Sequence, residues 1–202
     1  MAFDVVVAGI EDLKSFKTLG KDVELAAVQA INGTAKAKRT RAARIIQGQI
    51  NVPKSYLSPG GGRLAVVQKA QRGKLEAVIR ARGRATSLAR YATTKTPNKA
   101  GVRVKVGSTQ TRFLKRAFLI KLPGRGGDTD TQGNLGLAIR LKEGERISNK
   151  VRQVQVSKGL VLLYGPSVQQ IFLDNQGEGV ADDMAGETLR DLEAEFFRLL
   201  KL

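Results

Sequence analysis

Carboxylates, hydroxyls, Lys amines and Tyr phenols are the only groups in this sequence able to act as acid, base or nucleophile, because it has no His and no Cys. That removes thiolate chemistry, disulfides, Cys/His zinc sites and every His-based general base. A few places set the remaining groups at suggestive spacing. Asp182-Asp183 with Glu187 offers three carboxylates to a metal ion, but a solvated acidic turn before a helix is the ordinary reading of that run. Ser167, in Gly165-Pro166-Ser167-Val168, does not form a Gly-x-Ser-x-Gly nucleophile elbow. "DTDTQGN" alternates acids as a calcium loop does, yet lacks the terminal Glu and the flanking helices. "SPGGGR", at 58–63, has no Gly-Lys-Ser/Thr ending and no buried strand before it, so it is no phosphate-binding P-loop. Lys36 and Lys38 stand among other cations with no oxyanion partner. The expectation is a protein that is not an enzyme and carries no cofactor and no metal.

What the sequence has in excess is positive charge. The net charge is +17, and residues 36–116 hold 21 Lys and Arg against one acid, Glu76. Residues 1–35 sum to −2, residues 117–171 to +4 and residues 172–202 to −5. A basic middle between acidic ends suggests a polyanion partner, or acidic surfaces on a neighbouring protein. Neutralising phosphates releases counterions, so such a segment can bind nucleic acid without sequence preference. Base readout is not indicated. Tyr56, Tyr91 and Phe113 are far apart in sequence, and no zinc-finger, RNA-recognition or dsRNA-binding signature is present.

The elements that must carry this charge can be read from periodicity. A short strand is expected at 4–8. A long helix is expected from near Lys21, with Leu25, Val28, Ile31, Ala35, Ala42 and Ile46 on one apolar face. The register continues through Asn32-Gly33, so one helix is expected, ending before Pro53. Arg39 falls on the apolar face, and Lys36, Arg41 and Arg44 spread around the rest of the helix. A helix packed on its own domain would not carry Arg39 there without a partner.

Extended loops are expected near 51–73 and 123–134. Strands are expected in "KLEAVIRAR" (Leu75, Ala77, Ile79 and Ala81 on one face), "VRVKVG" (Val102, Val104, Val106), "RAFLIKL" (Phe118, Ile120, Leu122) and "LAIRL" (Leu137, Ile139, Leu141). "GPSVQQIF" reads as a turn and a short helix. The last segment repeats Leu189, Leu192, Phe196 and Leu199 or Leu200 at helical spacing, with acids early and Arg198 and Lys201 late. Together these predict a single α+β domain over 1–202, with long N-terminal and C-terminal helices packed against an antiparallel β-sheet. The N-terminus reads as no signal peptide, and no apolar run has the length of a membrane span.

The order of segments carries a resemblance. "AAVQAINGTAKAKRTRAARII" is followed by "NVPKSYL", "LEAVIRARGRATSLARY", "GVRVKVG", "RAFLIKL" before a Gly-rich hairpin, then "LVLLYGPSVQQIF" and a charged C-terminal helix. From about Ala26 onward this set resembles the minor tail protein Z family of tailed bacteriophages and prophages, whose members act as tail completion proteins. Gly165, Pro166, Ser167 and Val168 after a strand form the sharpest local match, and Ala117-Phe118 the next. "PGRGGDTDTQGNLGLAIRL" departs from the pattern by being more polar and acidic than the basic version expected there.

The resemblance implies a structural virion protein of the neck or upper tail, made in the bacterial host cytoplasm. It implies a homo-oligomeric ring, with six copies by the usual tail symmetry. The ring would meet the tail terminator and head–tail connector proteins, make the tail competent for head joining, and surround the path of DNA during genome ejection, with no membrane involved. On that reading Lys36, Lys38, Arg39, Arg41 and Arg44 form an intersubunit or DNA-facing basic surface. The alternative is a basic DNA- or RNA-binding protein without sequence specificity.

Overall fold

A computed structural model describes residues 4–7, 20–93, 100–107, 109–122, 135–148, 152–173 and 180–200. The fold is α+β, with a long N-terminal helix, a C-terminal helix and antiparallel sheets. The chain, expected as one domain, divides into two compact units. Unit 1 comprises Met1–Ile46, Leu57–Gly83 and Val168–Leu202; unit 2 comprises Gln47–Tyr56 and Arg84–Ser167.

Unit 1 is organised by helix α1, Lys21–Gln49, whose last three residues fall in unit 2. Asp22 and Glu24 sit in its first turn, where carboxylates complement the helix dipole. As expected, the helix runs unbroken through Asn32-Gly33. Asn32 explains why this turn-prone pair does not break it. Its Nδ2 donates to the Ala70 carbonyl at 2.9 Å, and its Oδ1 accepts from the Ala70 N–H at 2.9 Å. The side chain is therefore spent on another segment and does not compete with the helix backbone.

The apolar face of α1 is built from small residues. Ala26, Ala27, Ala30, Ile31, Ala35, Ala42, Ala43 and Ile46 are buried, whereas Leu25 is exposed. Ala30, Ile31 and Ala35 share a core with Ala70, Ala77 and Leu192, flanked by Val66, Leu75, Phe196 and Leu199. Leu192, Phe196 and Leu199 of this cluster come from helix α3, Val180–Leu200. Its inward stripe is Val180, Met184, Thr188 and Leu192, and Leu189, expected on that stripe, faces solvent.

The sheet of unit 1 has the order β1-β3-β2, with β1 Asp4–Val7, β2 Leu64–Gln68 and β3 Ala77–Ala81. β3 lies in the middle, pairing Val7 with Ala77 on one side and Leu64 with Ala81 on the other. Ala77, Ile79 and Ala81 are buried on one face as expected; on the other face Val78 is buried too, and Arg80 is exposed. β2 lies inside the stretch expected as extended loop, along with two 3-10 turns at Lys54–Leu57 and Pro59–Gly61. Arg72-Gly73 turns β2 back toward β3; Gly73 has φ 76°, which a side chain would resist.

Unit 2 is a β structure. β7 (Ala117–Lys121), β8 (Leu135–Arg140), β10 (Leu160–Gly165) and β9 (Arg152–Ser157) pair in that order, and β4 (Thr86–Ser87) joins the end of β10. The three residues of β7 from Phe118 to Ile120 are all half-buried, not the alternate set expected. β5 (Gly101–Val104) and β6 (Arg112–Lys115) form a separate ribbon. Arg116, at φ 61°, turns the chain from β6 into β7. Directly after α1, which ends four residues before Pro53, Ile50 forms an isolated antiparallel bridge with Gly107 and the Asn51 N–H donates to the Val106 carbonyl at 2.8 Å. The loop expected at 123–134 lies outside the described residues, between the paired residues Lys121 and Leu135.

Candidate polyanion interface

The five basic residues of α1 do not form one surface. Lys36 and Arg44 are exposed. Lys38 is 3% exposed, with its Nζ 2.5 Å from Asp191 and 3.7 Å from Glu187 of α3. Arg41 grips the same Glu187 with both terminal nitrogens. Arg39 is 7% exposed and donates from Nε to the Leu64 carbonyl of β2 at 2.9 Å. Lys38 and Arg39 thus belong to the interior of unit 1, which corrects their expected place on an outward basic surface.

The reason is visible in the helical register. Arg39 lies on the apolar face, as its spacing from Ala35, Ala42 and Ile46 dictates. Its partner there is a strand-end carbonyl. Burial lowers its pKa, and Nη2 has no hydrogen-bond partner among the described residues. Lys38 lies where α1 meets the acidic face of α3. Its hydrogen bond holds the Asp191 carboxyl below the usual carboxylate range. The acidic C-terminal segment is therefore, in part, the internal counter-charge of the basic helix.

This pairing also settles other expected features. Glu187, one of three carboxylates considered for a metal, is engaged by Arg41 and Lys38. Asp182 and Asp183 fall within the first turn of α3 and not in a turn before it, and their side chains lie outside the described ones. Among the described residues no three His, Cys, Asp or Glu side chains converge as a metal-binding group. No helix among them is long and apolar enough to cross a membrane.

Gly165, Pro166, Ser167 and Val168 mark the passage of the chain from unit 2 to unit 1. A Cβ at Gly165 would lie 3.0 Å from the Tyr91 ring and 3.1 Å from Leu88, so glycine permits that close approach. Ser167 is buried, and Val168 starts helix α2, Val168–Phe172, with its side chain inside. The motif is an architectural turn. Tyr91 is buried, which pushes its phenol up to about 12. Tyr56 shares a 2.9 Å hydrogen bond with Thr86, and the Arg90 guanidinium lies 4.6 Å from the Tyr56 ring centre. Such an aromatic contact occupies one face of the guanidinium.

Counting charge by unit moves the cationic centre of the molecule. Unit 1 holds 17 Lys and Arg against 14 acids, a net +3; unit 2 holds 18 against four, a net +14, which completes the chain's +17. Within unit 2, Glu145 is already held by Arg116 and accepts from the Lys142 N–H at 3.0 Å. That pairing lowers the Glu145 pKa and raises that of Arg116.

The β5–β6 ribbon shows how the excess is presented. Its register sets Val102 opposite Leu114 and Arg103 opposite Phe113, with Gly101 opposite Lys115. The pleat sends alternate residues to opposite faces. Val102 and Val104 are buried on one face. On the other stand Arg103 and Lys115, both exposed, and Phe113, which is 46% exposed. Lys105, half-buried, follows directly after β5 at the next alternate position from Arg103, and its N–H bonds to the Tyr91 carbonyl at 2.8 Å. Thr93 donates its N–H to the Arg103 carbonyl at 2.9 Å, so β5 is held on both edges. Among the described residues, none of these cations has a salt bridge to an acid.

Sequence reasoning missed this arrangement because it judged the aromatics by separation along the chain. The available signals were the alternation in "VRVKV", which sets Arg103 and Lys105 together, and the two-residue spacing of Phe113 and Lys115. A scan against protein-family models and searches of curated proteins and of solved structures find no match to this chain.

Proposed function

We propose that this chain is a structural subunit of a tailed-phage virion, a tail completion protein that forms a ring at the head-proximal end of the tail around the DNA path. The observation that carries the reading is the charge division, with 18 cations against four acids in unit 2 and near balance in unit 1. A unit of that sign next to a polyanion gains by counterion release, without base-specific contacts. The ordered resemblance to the minor tail protein Z family supplies the setting, and the turn at Gly165-Pro166-Ser167-Val168 is its sharpest element.

A ring requires heterologous interfaces, in which one face of a subunit complements another. The β9 strand suits that need. Among the described residues it pairs only with β10, and its Val154 and Val156 are 51% and 53% exposed. An open edge with outward apolar residues is a surface that native proteins normally cover.

The test is mass spectrometry of virions from the phage or prophage that encodes the chain, together with deletion of its gene. The expected result is the protein in intact particles, and tails that fail to join heads without it. Virions that lack the protein would overturn the reading. The second reading, a free DNA- or RNA-binding protein, is favoured by the same charge on unit 2. Tight binding by the monomer at physiological salt would support it over the ring subunit.

A further inference from the structure

We infer that the outer face of the β5–β6 ribbon is a binding site for unpaired nucleic acid, in which Phe113 stacks on a base while Arg103, Lys105 and Lys115 hold the flanking phosphates. The inference goes beyond the tail reading and rests only on unit 2 meeting a polyanion.

The geometry of Phe113 is the starting point. Nearly half its surface is open, although an aromatic ring of its size normally gains by burial. It does not wave freely. A Cβ built on Gly101 would lie 2.9 Å from the Phe113 ring tip and 2.3 Å from the Leu114 carbonyl. The ring therefore lies down over the Gly101 backbone, on the diagonal from its own partner Arg103. Gly101, at φ 146°, leaves the space that this needs. Covering a strand glycine with a cross-strand aromatic fixes one side of the ring and leaves the other side outward. An aromatic face fixed in advance loses little freedom on stacking.

The surroundings select the ligand. Arg103 stands beside Phe113, Lys115 lies two residues on, and Lys105 two residues beyond Arg103. Side chains two apart on a strand are separated by roughly 6.8 Å. Long cationic side chains at that spacing can reach successive phosphates on either side of one stacked base. An acidic protein segment would satisfy the cations but has no use for the open ring. A duplex would satisfy them too, but its bases are already stacked and offer no free face. The buried Val102 and Val104 beneath, with the backbone bonds from Thr93 and Tyr91, hold the platform rigid.

The test uses the full chain and fluorescence anisotropy with a labelled oligo-dT of about 16 nucleotides, within the span of known single-strand sites. Duplex DNA and polyglutamate serve as competitors. Phe113→Leu keeps an apolar side chain and removes the stacking face; it is expected to weaken oligo-dT binding about ten-fold without changing the salt slope. Phe113→Tyr is expected to bind as the parent does. The combined Arg103→Gln, Lys105→Gln, Lys115→Gln variant is expected to lower the slope of log K against log salt by about 2, at roughly 0.7 per phosphate contact on a single strand. Circular-dichroism melts check that each variant is folded; if Phe113→Leu unfolds, the charge variant and competitors decide. Parent-like binding by folded Phe113→Leu would overturn the inference. So would duplex or polyglutamate displacing the probe as well as unlabelled oligo-dT does. Absence from virions would leave the ribbon result standing, so the two readings fail separately.

Discussion

Arg39 shows how one side chain can be read correctly for position and wrongly for role. Its register put it on the inner face of α1, and the structure keeps it there with the Leu64 carbonyl as partner. A buried cation bonded to a neutral carbonyl is held in place by packing as much as by charge. Arg39→Ala should therefore destabilise unit 1 by about 2 kcal/mol, from the lost charged hydrogen bond and the cavity left by the stem. Urea unfolding would measure it. Arg39→Met, which keeps the stem's volume and removes a desolvated charge, should cost clearly less. If both variants unfold at the parental midpoint, the bond to Leu64 contributes nothing. Gly33 is the converse case. A Cβ there meets only the Glu195 carboxylate, at an ordinary 3.8 Å. Gly33→Ala should raise stability by about 1 kcal/mol through helix propensity alone, shown as a higher urea midpoint with an unchanged slope.

At the scale of elements, the seam between α1 and α3 makes stability depend on pH. Lys38 depresses the Asp191 carboxyl, so the folded state binds that proton less readily than the unfolded chain. The contribution is fully present above the ordinary carboxylate range and is lost as pH falls through the lower folded value. Asp191→Asn should lower the melting temperature at neutral pH and flatten its decline below about pH 4. A parental pH profile in that variant would show that the pair is a surface contact of no consequence. The β9 edge carries a different prediction. Val154→Lys should leave the melting temperature unchanged, because the side chain already faces solvent, and should abolish the proposed ring by placing a charge on the edge proposed to form it. Native mass spectrometry reads both states, with about 131 kDa expected for six copies of the 21.8 kDa chain. The helices were readable before the structure because their signals are local: apolar spacing and early acids. β2 and β9 were not. β2 is a short apolar run after a Gly-rich turn, and β9 alternates Val with Gln on a strand whose Val residues are exposed. Neither pattern declares a buried face, so pairing partners elsewhere in the chain decide them.

For the whole molecule, the sequence by itself determined the fold class and the sign of the net charge. The absence of His and Cys, a net charge of +17 and an ordered helix–strand–helix pattern are properties of the chain, and no folding changes them. It also determined the long helix through Asn32-Gly33 and the α+β order, because helical registers repeat over a few residues. Only the tertiary structure decided which charges are spent and which remain. Along the chain, Lys36, Lys38, Arg39, Arg41 and Arg44 form one basic run. In space, α3 brings Glu187 and Asp191 against Lys38 and Arg41 from about 150 residues away, Arg39 turns inward to the Leu64 carbonyl, and Lys36 and Arg44 stay exposed. Antiparallel pairing likewise set Phe113 opposite Arg103, ten residues apart in sequence, in a unit with almost no acids. Coulombic attraction and stacking act over a few ångströms of space, and sequence separation does not measure that distance.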